Sequence, residues 1–400
     1  MTDRDRFRAV CRGEHPDYVP IFSFPGAPGM GYFPMRQIRV ALLESGMPEH
    51  VGEGQGGELS WDRYWGTTGP VFPPFGLARP GPGIRREVRE ENGWEIEEWE
   101  TGARTRQFAD NNNVYAMPEF QVYHVRDRRS WEFYRERTAP RGKRSTGEVE
   151  ADISAFNPGQ RPVAIRVGSS WTTWGGLRDL MGPERACTVM YDDPALAHEI
   201  IDVGLTDFET YTVPLIERLR PDILQATEDI CYNHGMLISP RHFEEFCAPY
   251  YRRAADVARD CGVDMFAVDT DGNAMEFVSL VERTGVNALF PFEAKAGNDL
   301  FGLRQRYPAF ILMGWLEKEV VNAGNAHLIE HEIMSKVPPL LTSGRYLPNG
   351  DHCIQPLVTF ENLCRFMTLL HEVTSNPEGE FPHRPVHPQR PRGARAGRPR

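Results

Sequence analysis

The sequence lacks several features that would assign it to a special class of protein. None of its apolar runs approaches the roughly 20 residues that a membrane-spanning helix needs. Its first residues, Met-Thr-Asp-Arg-Asp-Arg-Phe-Arg, are charged and contain no apolar signal-peptide core. The seven cysteines are scattered without a Cys-x-x-Cys pair, which argues against a disulfide framework or a structural zinc knuckle. The formal net charge of −11 argues against nucleic acid as the main partner. We therefore expect a cytoplasmic protein with neither nucleic acid nor membrane as a partner.

Two motifs that commonly mark function are present only in form. Residues 52–57, Gly-Glu-Gly-Gln-Gly-Gly, match the dinucleotide-binding spacing, but no strand is predicted before them and no helix after them. His327-Leu-Ile-Glu330-His331 matches a zinc-peptidase pattern. The apolar stripe of that predicted helix faces away from both histidines, so they are expected on its solvated face. Neither motif is predicted to carry the activity.

Strand and helix patterns alternate regularly from residue 160 onward. The predicted strands cover residues 163–167, 223–225, 265–268, 286–290, 310–313 and 346–347, and a helical pattern follows each one. Consecutive strand–helix units with short connections are typical of a parallel α/β sheet. A strand at 19–22 and one unassigned N-terminal strand would bring the total to eight and close a (β/α)8 TIM barrel. An open doubly wound sheet is the alternative.

Two segments fall outside this alternation. Residues 85–88 and 94–96 predict a β-hairpin within an insertion at approximately 50–125, and residues 23–110 show little helical periodicity. Residues 376–400 contain six Pro and six Arg and little to bury, which predicts a disordered tail. The barrel is thus expected to occupy residues 1–375.

The most informative stretch covers residues 263–273. A short apolar run ends there in Asp269-Thr270-Asp271, followed at once by Gly272-Asn273. Two carboxylates separated by one residue at the carboxyl end of a strand can face one ligand, and active sites of parallel α/β proteins lie at that end. The same residues are also ordinary turn and helix-capping chemistry, so both interpretations stay open.

Polar residues follow the other predicted strands and would lie at the same end of a barrel. They are Ser169-Ser170-Trp171, Glu228-Asp229, Glu293, Gly314-Trp315 and Asp351-His352-Cys353. Acids crowded together repel one another unless they share protons, pair with cations or bind a metal ion. One suitable chemistry is a divalent metal such as Zn²⁺, held by carboxylates and an imidazole. The other is a metal-free site in which an Asp stabilises a cationic intermediate and a His moves protons.

A series of short motifs carries a family resemblance. In chain order they are Arg4-Asp5-Arg6-Phe7, Arg12-Gly13-Glu14, Gly176-Leu177-Arg178-Asp179-Leu180-Met181-Gly182, Tyr191-Asp192-Asp193-Pro194, Ile238-Ser239-Pro240, Asp271-Gly272-Asn273 and Gly350-Asp351-His352. Together they resemble the uroporphyrinogen decarboxylase (URO-D) superfamily. The resemblance covers residues 2 to about 373 and implies a (β/α)8 barrel.

Within that superfamily the chain looks more like the branch related to corrinoid-dependent methyltransferases. Porphyrinogen decarboxylases carry Met-Arg-Gln-Ala-Gly-Arg near the N-terminus, which residues 35–39 echo only superficially. In the methyltransferase branch a zinc ion is held by His-x-Cys after one strand and by Cys near the last. Asp269, Asp271 and His352 occupy the matching positions here. All three ligand types differ, which leaves an oxygen-rich metal site or a metal-free acid site.

The resemblance implies a methyltransferase-like enzyme that moves a methyl group between a small donor and a corrinoid protein. A carboxy-lyase acting on uroporphyrinogen or another poly-acid is the second interpretation, and a non-catalytic barrel that binds a ligand or corrinoid partner is the third. The predicted catalytic residues are Asp269, Asp271, His352 and Glu228, of which the first three are also the candidate ligands of a divalent metal. The predicted substrate-binding residues are Arg178, Trp171, Asp229, Glu293 and Trp315. The sequence leaves the substrate, the metal and the oligomeric state open, and an oligomer is compatible with it.

Overall fold

The computed structural model describes residues 1–22, 36–53, 57–110, 118–167, 173–322 and 324–384. Its strands are β1 (Arg86–Glu91), β2 (Trp94–Trp99), β3 (Arg104–Phe108), β4 (Glu119–Val122), β5 (Ala164–Arg166), β6 (Ile223–Thr227), β7 (Cys231–Tyr232), β8 (Gly235–Met236), β9 (Met265–Thr270), β10 (Ala288–Pro291), β11 (Ile311–Leu316) and β12 (Tyr346–Gly350). Six of these strands form a parallel sheet in the order β12-β11-β10-β9-β6-β5. A separate antiparallel sheet has the order β1-β2-β3-β4, and β7 pairs with β8.

Helices cover both the N-terminal region and the connections of the parallel sheet. They are α1 (Asp3–Arg12), α2 (Arg36–Glu44), α3 (Gly57–Trp65), α4 (Arg128–Thr138), α5 (Thr146–Ala155), α6 (Trp174–Met181), α7 (Pro183–Asp192), α8 (Pro194–Asp207), α9 (Val213–Leu219), α10 (Pro240–His242), α11 (Ala248–Cys261), α12 (Met275–Val281), α13 (Leu300–Arg306), α14 (Ala326–Ser343) and α15 (Phe360–Thr374). Among the described helices, none is both long and apolar enough to cross a membrane.

The N-terminal region completes the ring of strands between β5 and β12. Val71 makes a parallel bridge to Val163, next to β5, and Thr68 makes a parallel bridge to Phe22. On β12, the Nδ2 atom of Asn349 donates to the backbone oxygen of Phe22 at 3.0 Å. The predicted first strand is therefore reduced to a bridge at Phe22, and the segment from Thr68 to Val71 supplies the strand that the sequence left unassigned. This parallel arrangement is consistent with a closed barrel.

Alternate residues of the central strands pack inside this ring. The inner cluster includes Ala164, Ile223, Met265, Ala267, Ala288, Phe290, Ile311, Met313 and Leu347. Phe7, Val10 and Cys11 of α1 belong to the same cluster. Helix α1 therefore closes the amino-terminal end of the sheet, and the carboxyl-terminal end is the one left for a site.

Arginines of α1 hold that helix against the sheet. The Arg4 Nε atom lies 2.9 Å from Asp222 Oδ2, which comes directly before β6. Arg8 Nε lies 2.7 Å from Asp264 Oδ2, and Arg12 Nε lies 2.8 Å from Asp264 Oδ1, directly before β9. The Thr2 hydroxyl accepts from the Asp5 backbone N–H and begins the helix, since it satisfies a donor that the first turn leaves free.

The predicted strand–helix series after residue 160 is confirmed, with two changes inside the helices. The helical segment over residues 194–219 is divided into α8 and α9 by the π-helical turn Phe208–Thr212. The helical segment over residues 240–261 is likewise divided, and Pro249 is the residue in it that can kink or divide a helix. Pro249 lies in the first turn of α11, after the π-helical turn Phe243–Cys247. Backbone N–H groups in the first turn have no partner within the helix, so proline removes no helical hydrogen bond there.

The N-terminal half is more helical than its pattern predicts. Helices α2 and α3 lie where little helical periodicity was expected. Trp61 and Trp65 of α3 are fully buried, so the contacts that stabilise this helix come from distant parts of the chain. The predicted hairpin is confirmed as β1 and β2, whose turn residues Asn92 and Gly93 have φ values of 52° and 78°. Two positive values are typical of the type I′ turn that joins tightly paired strands.

The prediction of a disordered tail from residue 376 is wrong for its first part. The Asn376 side chain donates to Gly66 O at 2.9 Å, and the backbone N–H of Phe381 donates to Tyr64 O at 3.1 Å. Phe381 is only 2% exposed, with its ring 5.2 Å from that of Trp65. One aromatic side chain is enough to hold this segment against α3, because an aromatic ring buries a large apolar area. The overall composition of the segment does not reveal this single contact. Residues 385–400 lie outside the described part of the chain.

Candidate functional site at the carboxyl-terminal end of the sheet

Asp269 is the innermost acid at this end of the sheet. It follows Met265 and Ala267 on the inner face of β9, and its neighbours in register are Thr227 on β6 and Phe290 on β10. The residue is 9% exposed, and no described residue makes a hydrogen bond or ion pair with its carboxylate. Burial, followed by repulsion from the nearby acids, raises the pKa of Asp269 well above its usual value. Asp269 is thus shifted toward the protonated, neutral form.

Asp271 and His352 form an ion pair beside it. The Nε2 atom of His352 lies 3.2 Å from Oδ1 of Asp271. Burial alone would lower the pKa of His352, but the bond to Asp271 and the contact with Cys353 outweigh it and raise that pKa to about 11. For Asp271, burial opposes the bond to His352, and the bond prevails, so its pKa is lowered. The structure therefore brings three of the predicted catalytic residues together. Asp269 is shifted toward its neutral form, and Asp271 and His352 form a charged pair.

Glu228, the fourth predicted catalytic residue, lies beneath this end of the sheet as an anchor. Its buried carboxylate accepts hydrogen bonds from the hydroxyls of Thr173 and Tyr251, and from Gly175 N–H at 2.6 Å. Burial raises the pKa of Glu228. A Cβ on Gly175 would lie 2.6 Å from the backbone oxygen of Thr227, so only glycine lets α6 approach β6 this closely. Glu228 thereby fixes the start of α6, and its contact with a substrate stays a prediction.

Two of the predicted substrate-binding residues are paired with each other. The Arg178 guanidinium donates to Oδ2 of Asp229 and, at 3.0 Å, to Oδ1 of Asp179. Asp229 adopts a left-handed backbone with φ of 48° directly after β6, which directs its side chain back toward α6. Each charge is largely satisfied by the other. A substrate carboxylate would have to compete with Asp229 for this arginine.

Glu293 ties neighbouring loops together through Lys318, a residue that the sequence did not single out. Glu293 accepts from Gly272 N–H at 2.9 Å and lies 3.2 Å from the Lys318 ammonium. The same ammonium lies 3.8 Å from Asp351, whose carboxylate also accepts from Ala294 N–H at 2.9 Å. Most acids at this end are therefore paired with cations rather than with one another. The sequence signal that could have identified Lys318 was a single lysine shortly after a predicted strand, in a set of strand ends otherwise followed by acidic residues.

The described contacts of Trp315, one of the two predicted tryptophans, are not with Asp269. Trp315 donates from Nε1 to Asn298 O at 2.9 Å, and the ammonium of Lys336 lies 4.5 Å from its ring. Trp315 has φ of 74° and follows Gly314, whose φ is 88°. This reversal at the end of β11 turns the indole outward toward α13 and α14 rather than inward. Trp171 lies outside the described residues.

Arg166 is a functional candidate that sequence reasoning missed. It is the last residue of β5, pairs in register with Gln225, and lies on the same face as the inner residue Ala164. Its guanidinium lies 4.4 Å from the centre of the Phe72 ring, and the side chain is exposed without an ion-pair or hydrogen-bond partner among the described residues. Gln225 is buried, and its Oε1 atom also has no hydrogen-bond partner there. A charged residue at an inward position of an apolar strand was the available signal.

The predicted metal ligands do not fit a metal ion as they are arranged. The Nε2 atom of His352 faces Asp271 rather than an open position shared with Asp269. Within the described ranges, no group of three His, Cys, Asp or Glu side chains is placed to hold an ion. A bound zinc ion thus stays a prediction from resemblance.

Comparisons with known proteins identify the family of this chain. The family description "Uroporphyrinogen decarboxylase (URO-D)" matches residues 153–373, which is more than half of the chain. The chain belongs to the uroporphyrinogen decarboxylase family. The solved structure of a methyltransferase from Methanosarcina mazei matches with a TM-score of 0.54 at 15% identity, covering 91% of this chain and 96% of that one. At that identity the likeness shows the fold alone. No curated protein sequence matches the chain.

Proposed function

We propose that this member of the uroporphyrinogen decarboxylase family is an enzyme in which Asp269 delivers a proton to a small substrate. The reaction is methyl transfer from a small donor to a corrinoid carried by a partner protein, and decarboxylation of an acid is the second candidate. The observation that carries the proposal is the Asp269 carboxyl group, which faces inward, lacks a described partner and has a raised pKa. A buried acid with a raised pKa is suited to general acid catalysis.

Both candidate reactions need the same proton. In methyl transfer, the bond between the methyl carbon and the heteroatom of the donor breaks, and the electron pair left on the heteroatom takes up a proton. In decarboxylation, the bond to the carboxyl carbon breaks, CO₂ leaves, and the electron pair left on the substrate carbon takes up a proton. One proton per turnover therefore reaches the atom that loses the group. General acid catalysis of this kind contributes about 10²–10⁴-fold in rate.

The Asp271–His352 pair supplies a fixed positive charge beside that acid. With a pKa of about 11, the imidazolium keeps its proton through the neutral range and is a poor proton donor. A preorganised cation instead stabilises negative charge that develops on the substrate as the group leaves. Asp271 holds the imidazolium in place through its bond to Nε2.

Arg166 favours a substrate that carries an acidic group. Its guanidinium, which has no ion-pair or hydrogen-bond partner among the described residues, offers paired donors that match the geometry of a carboxylate. It also lines a cleft of about 310 Å³, whose walls include Phe75, Leu77 and Leu215 and would suit the apolar part of an organic acid. This arginine is the specific ground for the second candidate reaction, and it fits a methyl donor bearing a carboxylate equally well.

Two assays on the purified chain test the proposal. In the first, free cob(I)alamin is the acceptor for a panel of small methyl ethers and methylamines, with and without a carboxylate, and methylcobalamin is measured. In the second, uroporphyrinogen and small polycarboxylic acids are supplied, and released CO₂ is measured. We expect product in the first assay and a loss of about 10²–10⁴-fold in Asp269→Asn, with its melting temperature retained.

Asp202→Asn provides the matched control, because Asp202 is exposed on α8, away from the site. It should have wild-type activity. Release of CO₂ without methyl transfer would favour the second candidate. Full activity of Asp269→Asn in the productive assay would show that Asp269 is not the proton donor, and no product from either panel would count against both reactions.

A further inference from the structure

The strand β1 forms an edge of the antiparallel sheet, and no described strand pairs with its outer side. All six of its residues are exposed, including Val88 at 49%. Glu100 N–H on the neighbouring strand donates to Arg85 O at 3.0 Å, so the backbone of Arg85 faces β2. Because backbone groups alternate sides along a strand, those of Arg86, Val88 and Glu90 face outward. The outer edge of β1 is therefore a row of exposed donors and acceptors.

The charges along this edge are arranged so that they complement themselves. From residue 85 to 91 the sequence is Arg-Arg-Glu-Val-Arg-Glu-Glu. Reversing the direction of this segment about Val88 changes the sign of every charge. Two copies that pair antiparallel with Val88 opposite Val88 would place Arg85 opposite Glu91, Arg86 opposite Glu90, and Glu87 opposite Arg89. Opposite charges directly across a pair of strands are favourable.

The backbone geometry selects the same register. Outward-facing residues of one copy must meet outward-facing residues of the other, which restricts the pairing to steps of two residues. The next register on one side places Glu87 opposite Glu87, and the next on the other side places Arg89 opposite Arg89. Like charges directly opposite each other destabilise a strand pair. Only the register centred on Val88 satisfies both the backbone and every charge.

Two acidic side chains on this edge are available for such pairing, while Glu91 lies 3.7 Å from Arg89 of the same strand. Arg86 and Arg89 already pair with Glu97 and Glu98 of β2 within the chain, at 3.1 and 2.6 Å, which orders them along the strand. Glu87 and Glu90 have no ion-pair partner among the described residues. Charges on an edge strand ordinarily prevent pairing with other strands. Here they would oppose unrelated edges and favour a second copy of the same edge.

We propose that two copies of this chain associate through β1 about a two-fold axis at Val88, which joins their antiparallel sheets into one. Such an interface is isologous, since each copy contributes the same residues. The contact is independent of the proposed enzyme activity. Because it consists of one strand pair with exposed charges, the association should be concentration-dependent and should weaken as salt is raised.

Sedimentation velocity on the full chain tests this proposal with two complementary double variants. Glu87→Arg/Glu90→Arg puts arginine opposite arginine in a homodimer, and Arg86→Glu/Arg89→Glu puts glutamate opposite glutamate. Each variant alone should be monomeric at concentrations at which the wild-type chain is dimeric. An equimolar mixture should restore a dimer, because every position in the mixed pair again carries opposite charges.

Two further variants separate this contact from general effects of charge. Glu132→Arg/Glu136→Arg changes the net charge by the same amount as Glu87→Arg/Glu90→Arg, but at exposed positions of α4. This control should stay dimeric. Val88→Pro leaves every charge in place and should still fold, since proline is tolerated on an edge strand. It should be monomeric, because it removes the outward N–H at the centre of the proposed strand pair. A monomeric wild-type chain, a dimeric Val88→Pro variant, or a mixture of the two double variants that stays monomeric would each overturn the proposal.

Discussion

The two ends of strand β9 place the same kind of side chain in opposite surroundings. Asp264, directly before the strand, is paired with Arg8 at 2.7 Å and Arg12 at 2.8 Å. Asp269, near the other end, is also buried, but its carboxylate forms no hydrogen bond or ion pair with a described cation. Charges at the amino-terminal end are satisfied and hold α1 in place. The unsatisfied acid at the carboxyl-terminal end lowers stability and is available for chemistry.

Cavity size alone would have suggested the wrong end. A cavity of about 410 Å³ lies at the amino-terminal side of the sheet, beside Tyr18, Asp62 and Arg161. Most of its charged groups take part in ion pairs, as in the contact of 3.2 Å between Arg161 and Asp62. Such a cavity offers space, but most of its charged groups are already satisfied. The smaller set of residues around Asp269 offers the opposite, and we assign the chemistry there.

The largest expected effect is a contrast in stability between matched Asp→Asn substitutions. Asp222 is buried and accepts from Val163 N–H at 2.8 Å as well as from Arg4. Asp222→Asn should lower the free energy of unfolding by about 1.5–3 kcal/mol, because hydrogen bonds to a buried charged carboxylate are lost. Thermal unfolding should show a fall of several degrees. Asp269→Asn should show no fall, and an equal fall in both variants would contradict the comparison.

A smaller effect is expected from the arginines that border the site. Arg166→Gln should raise KM for an acidic substrate about 10- to 100-fold, the loss expected for one charged hydrogen-bonding contact. Its melting temperature should stay near the wild-type value, because the guanidinium has no described protein partner. Arg178→Gln is the matched control and should lower the melting temperature, because it leaves Asp229 unpaired. An unchanged KM in Arg166→Gln would remove Arg166 from the site.

The sequence predicted those parts of the molecule that depend on local pattern. The alternation of strands and helices predicted the parallel sheet, and the apolar run before Asp269 predicted that this residue lies at the carboxyl-terminal end of that sheet. Pairing between side chains was not predictable in this way. Nothing local shows that Arg178 is held by Asp229 while Arg166 has no ion-pair partner in the described part of the chain, because that depends on the directions in which neighbouring strands point their side chains.

The missing parts of the fold have a similar cause. The segment that completes the ring pairs through single bridges at Thr68 and Val71, which is too little regular structure to leave a strand pattern. Phe381 is one aromatic residue in a proline-rich segment, and its burial against Trp65 depends on an element more than 300 positions earlier. Tertiary contacts decide such segments, so the local pattern carries no signal for them.

The smallest effect is a pH dependence that separates Asp269 from Asp271. The folded protein holds the Asp269 proton more tightly than the unfolded chain does, since its pKa is raised. The wild-type chain therefore loses stability as pH rises from about 4 through the folded pKa, and Asp269→Asn cannot undergo this loss. Its advantage in melting temperature should be near zero at pH 4 and grow with pH. It should correspond to on the order of 1 kcal/mol at pH 7.

Asp271 should show the opposite sign. Its lowered pKa means that its charged form contributes stability above about pH 4, and this contribution is lost as pH falls through the folded pKa. Asp271→Asn should therefore melt below the wild-type chain at pH 7, with a difference that shrinks toward acid pH. The effect should be small, because the side chain is 46% exposed and solvent screens its pair with His352. Melting curves of both variants from about pH 2 to about pH 8 check the prediction, because the change at Asp271 lies below about pH 4 and the change at Asp269 lies above it. If the two differences change with pH in the same direction, Asp269 and Asp271 share one environment and the distinction between the free acid and the charged pair is wrong.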